Sequence, residues 1–96
     1  MARQRVTKPH KFFHGTIEQL DAIVLASRSL GRWDWMPEEF WQFRRPDGAI
    51  LNFWPTTGTF DFQGPPAARD AFERAFVAVV YEARNGRLAL PSPGNA

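Results

Sequence analysis

The chain has no cysteine, only one tyrosine and no hydrophobic run long enough to cross a bilayer. Without thiols it can form neither a disulfide framework nor an iron–sulfur cluster, and a thiolate zinc site and a cysteine nucleophile are also excluded. A membrane helix needs about 20 apolar residues, and no apolar stretch led by lysine or arginine predicts a signal peptide. We therefore expect a cytoplasmic protein without membrane association.

Histidine is also scarce, and its placement argues against catalysis. The two histidines, His10 and His14, both precede the first predicted helix. A general base must be held within hydrogen-bonding distance of its proton, which a weakly ordered segment does badly. The carboxylates are scattered, no glycine-rich phosphate loop precedes a helix, and the serines have no nearby base. We therefore predict a non-enzymatic protein that binds no metal and no cofactor.

Aromatic residues are abundant in this chain of 96 residues, with nine Phe and four Trp. Each ring can bury about 150–250 Å², so a chain of this length can build one compact core without metal or crosslink. Residues 87–96 include two prolines and a glycine near the end, which is typical of a disordered tail. We predict a flexible arm over 1–15 and a single domain over 16–86.

The net charge of +2 conceals an uneven distribution. The first 11 residues contain no acid and four basic residues: Arg3, Arg5, Lys8 and Lys11. The remaining chain has eight basic and ten acidic residues, so the domain is slightly acidic. The basic arm could follow a phosphate backbone, or it could be a soluble leader that contacts nothing.

Hydrophobic periodicity predicts two helices, one before and one after three strands in the sequence. Thr16 and Gln19 form a capping box for a helix over 16–30 that ends at Gly31. A linker, Arg32–Pro37, and then short alternating segments follow. The predicted strands are Glu39–Arg45, Ala49–Trp54 and Thr59–Gln63, and the last helix is Pro66–Arg84. The predicted class is α+β in the order α-β-β-β-α, with a three-stranded antiparallel sheet and two helices on one face.

Strand alternation divides the predicted sheet into two faces. The set expected under the helices is Trp41, Phe43, Leu51, Phe53, Phe60 and Phe62. The opposite set is Phe40, Gln42, Arg44, Ile50, Asn52, Trp54, Thr59, Asp61 and Gln63. A purely solvated face does not ordinarily hold Phe, Ile and Trp together. We therefore expect this second face to be covered or to bind a partner.

Two further segments carry candidate binding residues, each with a structural alternative. In Trp33-Asp34-Trp35, one indole could fill the end of the core, or the pair could anchor a partner. Arg44 and Arg45 could contact phosphate, or they could be a charged strand end that discourages edge pairing.

The segment from Leu51 to Gly64, with the helix after it, resembles a known structural unit. The matching positions are Phe53, Trp54, Thr57, Gly58, Phe60, Phe62, Gln63 and Gly64. Over residues 51–75 the chain resembles the TATA-binding-protein-like domains at the front of bacterial type III ribonucleases H and of some RNA-cleaving toxins. The resemblance implies a nucleic-acid duplex as ligand and no catalytic residue, although Thr59 stands where a cation is usual and Asp61 adds an acid. Gly58 and Gly64 can also be explained without a ligand, because tight turns need residues that tolerate positive φ.

Two function classes follow from these observations. The first is a non-enzymatic module that binds RNA or DNA through the arm and the aromatic sheet face. The second is a small protein-binding inhibitor or adaptor that uses the same face, for example a phage-encoded protein of the anti-CRISPR type, and it includes a homodimer. The predicted binding residues are Arg44, Arg45, Trp54, Asn52, Ile50, Phe40, Trp33, Trp35, Lys8 and Lys11.

Overall fold

The computed structural model describes residues 12–91. Its elements are α1 (Ile17–Ala26), β1 (Arg32–Met36), β2 (Phe40–Arg44), β3 (Ile50–Trp54), β4 (Thr59–Gln63) and α2 (Pro66–Arg84). The strands form one antiparallel sheet in the order β1-β2-β3-β4. The α+β class is therefore confirmed, but the sheet has four strands rather than three. Most of the predicted arm, residues 1–11, and the end of the predicted tail, residues 92–96, lie outside the described residues.

The additional strand is β1, which lies where the sequence predicted a linker, Arg32–Pro37. Its residues alternate between the two faces, and it pairs with β2 along its whole length. The turn that joins β1 to β2 has no Gly or Asn. Instead, Glu39 adopts a left-handed conformation with φ 66°, and its N–H donates to the Met36 carbonyl at 2.9 Å. The prediction was wrong because a glutamate occupies the left-handed position of this turn, where Gly or Asn would have signalled a hairpin.

Both helices begin as predicted. At α1, the Gln19 N–H donates to Thr16 Oγ1 at 3.1 Å and the Thr16 N–H donates to Gln19 Oε1 at 3.0 Å, which confirms the capping box. At α2, Pro66 occupies the first turn, where no N–H is needed. The bounds of α2 and β4 match the prediction, and β2 and β3 are shorter than predicted by one residue at one or both ends.

The end of α1 comes four residues earlier than predicted. Arg28 adopts φ 63°, and the Ser29 N–H donates to the Val24 carbonyl at 3.3 Å, so the left-handed position is Arg28 and not Gly31. Gly31 is required for a different reason. A Cβ at that position would lie 2.1 Å from the Arg44 carbonyl oxygen, so β1 and β2 could not approach each other as they do.

One face of the sheet packs against both helices and forms the core. The buried apolar residues are Leu20, Ile23 and Val24 of α1, Phe43, Ala49, Leu51, Phe53, Phe60 and Phe62 of the sheet region, and Phe72 and Phe76 of α2. The predicted inner face is thus the buried one. Phe13 and Leu90, near the two ends of the described chain, also pack against this core. None of the described helices has the length and apolar character that a membrane span requires.

Candidate binding surfaces

The opposite side of the sheet, here called the open face, is not covered by either helix. Its side chains form three rows that run across the strands. The rows are Arg32, Arg44, Ile50 and Gln63; Asp34, Gln42, Asn52 and Asp61; and Met36, Phe40, Trp54 and Thr59. Five of the predicted binding residues, Phe40, Arg44, Ile50, Asn52 and Trp54, therefore lie together on this face.

The middle row is a hydrogen-bonded ladder of side chains. Gln42 Nε2 donates to Asn52 Oδ1 at 3.0 Å, and Asn52 Nδ2 donates to Asp61 Oδ1 at 3.0 Å and to Gln63 Oε1 at 2.9 Å. Because an ionised carboxylate only accepts hydrogen bonds, Asp61 determines the orientation of both amides. Asn52 is 3 % exposed, so its amide acts within the sheet and is not offered to a ligand.

The ladder leaves one polar atom unsatisfied. Gln42 Oε1 is buried and has no hydrogen-bond partner among the described residues. The polarity of the ladder explains this, since each amide directs its donor toward Asp61 and the last carbonyl oxygen is left over.

The third row places two aromatic rings against each other. Phe40 and Trp54 stack with their ring centroids 4.9 Å apart and their planes 26° apart, and both side chains are half-buried. Because each ring covers a face of the other, the open face presents less apolar surface than the sequence suggests. The exposed large hydrophobic residues in the described part of the chain are Leu25, Leu30, Trp35 and Tyr81.

The two adjacent arginines at the end of β2 have different roles. Arg44 is exposed on the open face opposite Arg32. Arg32 forms an ion pair with Asp34, in which a guanidinium nitrogen lies 3.4 Å from Asp34 Oδ1. Arg45 instead turns toward the core, where its guanidinium lies 4.9 Å from the centre of the Phe72 ring and donates to Ser29 Oγ at 3.2 Å. The structure therefore separates the pair, and Arg45 has a structural role.

The contact between Arg45 and Asp47 leads to a prediction. The Arg45 guanidinium, followed by the Ala49 N–H, holds the pKa of the Asp47 carboxyl below its ordinary value. The associated stabilisation is present at neutral pH and is lost as the pH falls through that lowered pKa. In Arg45→Ala we expect the pKa of Asp47 to rise toward the ordinary value, as measured by carboxyl-carbon NMR titration. Arg44→Ala is the matched control, and equal Asp47 titrations in the two variants would contradict the assignment.

The second surface, here called the tryptophan edge, consists of Trp33, Trp35 and Trp41. All three lie on the helix side of the sheet at its β1 end, where Trp35 is opposite Trp41. The Trp35 and Trp41 ring centroids are 5.1 Å apart, and those of Trp33 and Trp41 are 6.3 Å apart, both in edge-to-face geometry. Trp33 packs against the core, whereas 51 % of Trp35 is exposed.

The tryptophan edge thus combines both interpretations of the Trp33-Asp34-Trp35 segment. Trp33 extends the core, and its Nε1–H donates to Asp21 Oδ1 at 2.9 Å, while Trp35 remains in contact with water. Asp21 and Glu18 lie beside this surface, and the sequence predicted neither of them, nor Trp41, as a site residue. Trp41 could have been found from the alternation of β1, had that segment been recognised as a strand.

An apolar groove lies at the other end of the sheet, between the N-terminal segment and α2. It is lined mainly by Phe12, Phe13, Phe60, Phe76, Val80 and Tyr81. Phe12 pairs with Thr59 at the outer edge of β4. The predicted residues Lys8 and Lys11 precede this point and lie outside the described residues. Within 12–91, no group of three His, Cys, Asp or Glu residues could hold a metal ion.

No family model, curated protein or solved structure matches the chain. The resemblance of residues 51–75 to the TATA-binding-protein-like domains therefore stays a prediction. Two of its positions have a backbone explanation, since Gly58 and Gly64 adopt φ of 80° and 115°, which residues with a side chain rarely adopt.

Proposed function

We propose that this protein is a non-enzymatic protein-recognition module whose interface is centred on the tryptophan edge. The observation that carries the proposal is the half-exposed Trp35, held against Trp41 at the margin of the core. A large ring that is already fixed in place loses little conformational entropy on binding, and tryptophan is enriched among the residues that dominate interface energies. Removing apolar surface of this kind from water stabilises the complex with a partner.

The charge distribution supports a protein partner rather than a nucleic acid. The open face carries two arginines, Arg32 and Arg44, and two carboxylates, Asp34 and Asp61, so its formal charges cancel. Arg45 is engaged with the core. The chain beyond residue 11 has more acidic than basic residues. Binding to a phosphate backbone depends on several cations that displace counterions, and an open face with two arginines and two carboxylates does not supply them.

Peptide selection tests the proposal. Peptides are selected from a random display library on the wild-type protein, and their affinities are then measured for variants by fluorescence anisotropy. We expect Trp35→Ala to weaken the selected peptides by about tenfold or more, the size of effect expected for an interface anchor. Trp54→Ala is the matched control, because it removes a tryptophan from the opposite face of the same sheet, and it should change the affinities by less than about threefold.

Equal affinities for the Trp35→Ala protein and the wild type would contradict the proposal. A homodimer that buries Trp35 would be a partner of the same class. In that case sedimentation gives a dimeric mass for the wild type and a monomeric mass for Trp35→Ala.

Nucleic-acid binding is the second candidate, and the four cations of residues 1–11 favour it. Arg44 adds a cation that forms no ion pair with another described residue. Tryptophan fluorescence titration with single-stranded and duplex RNA and DNA at two salt concentrations distinguishes the candidates. Salt-dependent quenching that disappears on deletion of residues 1–11, together with no peptide that depends on Trp35, would replace the first proposal by the second.

A further inference from the structure

We propose that the groove between α1 and the tryptophan edge is a subsite for an arginine side chain of the partner protein. This inference rests on the proposed function and specifies the chemistry of the partner. The groove, here called the cation subsite, is lined by Ile17, Glu18 and Asp21 of α1 and by Trp33 and Trp41 of the sheet. It combines aromatic walls with two carboxylates, and no described basic residue lines it.

The aromatic walls suit a flat cation. Trp33 and Trp41 meet edge to face, with their ring planes 84° apart and their centroids 6.3 Å apart, and both line the groove. A guanidinium is attracted to the negative face of an indole ring, and it also stacks on the ring because both groups are planar. Tryptophan gives the strongest interaction of this type. Ile17 adds apolar surface on which the aliphatic part of an arginine can pack.

The two carboxylates, Glu18 and Asp21, line the same groove as the indoles and can pair with the charged end of an arginine. Glu18 and Asp21 are three residues apart on α1 and therefore share one side of the helix. Asp21 Oδ1 accepts the Trp33 indole N–H at 2.9 Å, which holds the carboxylate beside the aromatic wall. Its other oxygen makes no hydrogen bond to a described residue, and Glu18 forms no ion pair within residues 12–91.

The subsite and the exposed indole together define a partner segment. Trp41 belongs to both, since it contacts Trp33 on one side and Trp35 on the other. A peptide that packs an apolar side chain against Trp35 could therefore place an arginine in the cation subsite. An acidic side chain at the same position would meet Glu18 and Asp21 and be repelled, so the groove also discriminates against acidic partners.

The test uses blocked arginine as the probe. N-acetyl-arginine amide is titrated into the full chain, and the indole N–H signals of its four tryptophans are followed by proton–nitrogen NMR. We expect saturable shifts of the Trp33 and Trp41 signals and no shift for Trp54, which lies on the open face. N-acetyl-citrulline amide has nearly the same shape without the charge, and we expect its affinity to be lower by roughly fivefold or more.

The protein variant that matches this probe is the double substitution Glu18→Gln and Asp21→Asn. It removes both charges, and the new amide oxygen can still accept the Trp33 indole N–H. We expect the double variant to bind blocked arginine roughly fivefold more weakly than the wild type does, and to bind the citrulline probe equally well. The pair Asp70→Asn and Glu73→Gln on α2 removes the same charge away from the groove and serves as the control.

Equal affinities for the arginine and citrulline probes, or unchanged arginine binding in the double variant, would overturn the subsite. That failure differs from failure of the proposed function, because the first is measured with the Glu18 and Asp21 variants and the second with Trp35→Ala.

Discussion

Replacing Phe72 by alanine is expected to lower the free energy of unfolding by about 3–5 kcal/mol, the range observed when large buried rings are truncated. Phe72 is fully buried. Its ring centroid lies 5.8 Å from that of Phe43 and 5.2 Å from that of Phe62, and the Arg45 guanidinium lies over it. The substitution would therefore open a cavity between α2 and the sheet and also remove the aromatic contact of Arg45.

Urea unfolding measures this loss. Tyr81→Ala is the control on the same helix, because 63 % of Tyr81 is exposed and its truncation should change stability by less than about 1 kcal/mol. A small domain has only about 5–15 kcal/mol in total, so Phe72→Ala is expected to lower the melting temperature by many degrees. A loss no larger than that of Tyr81→Ala would contradict the packing of α2 described above.

Much of the fold could be predicted from local patterns. The amphipathic stripe of α2, the capping box at Thr16 and the alternation of β4 are all encoded within a few residues, and the structure confirms them. The end of α1 could not be predicted in the same way. Arginine rarely takes the left-handed conformation found at Arg28, whereas Gly31 is the residue that sequence rules expect there.

The candidate site was harder to predict than the fold, because it depends on pairing across strands. Trp33 and Trp35 could be singled out from the sequence, but their relation to Trp41 requires the register of β1 against β2. Asp21 enters the site only through the bond to the Trp33 indole across 12 residues of sequence. Exposure also could not be read from the pattern, because Trp35 shares a face with buried rings and remains half-exposed only because it lies in the edge strand, at one end of the core.

The two sides of the sheet differ in how they use their polar groups. On the open face, the side-chain amide donors of Gln42 and Asn52 are used within the sheet, and the one buried side-chain atom left without a described partner is Gln42 Oε1. On the helix side, Asp21 and Glu18 retain acceptor atoms that no described residue uses, in a groove that they share with Trp33 and Trp41. The second arrangement is the one that gains most from a partner, which is why the proposed interface lies at the tryptophan edge.

Asn52→Asp should be the most informative substitution on the open face, and we expect it to lower the free energy of unfolding at pH 7 by about 3–5 kcal/mol. Asn52 is 3 % exposed and its Nδ2 donates to Asp61 Oδ1 at 3.0 Å and to Gln63 Oε1 at 2.9 Å. The substitution replaces this donor by a carboxylate oxygen, which would face a second carboxylate and an amide oxygen in a poorly solvated place. Burial and like charge both raise the pKa of the new carboxyl in the folded state.

This shift determines how the loss depends on pH. The unfolded chain keeps an ordinary aspartate pKa of about 3.9, so the destabilisation is small at and below about pH 4 and grows as the pH rises through the raised folded-state pKa. Urea unfolding of wild type and variant at pH 7 and pH 4 measures the difference. Gln63→Glu is the matched control, because its exposed carboxylate can still accept from Asn52 Nδ2, and it should change stability by less than about 1 kcal/mol. If Asn52→Asp is equally destabilising at both pH values, the loss comes from packing, and the direction assigned to the ladder by Asp61 is wrong.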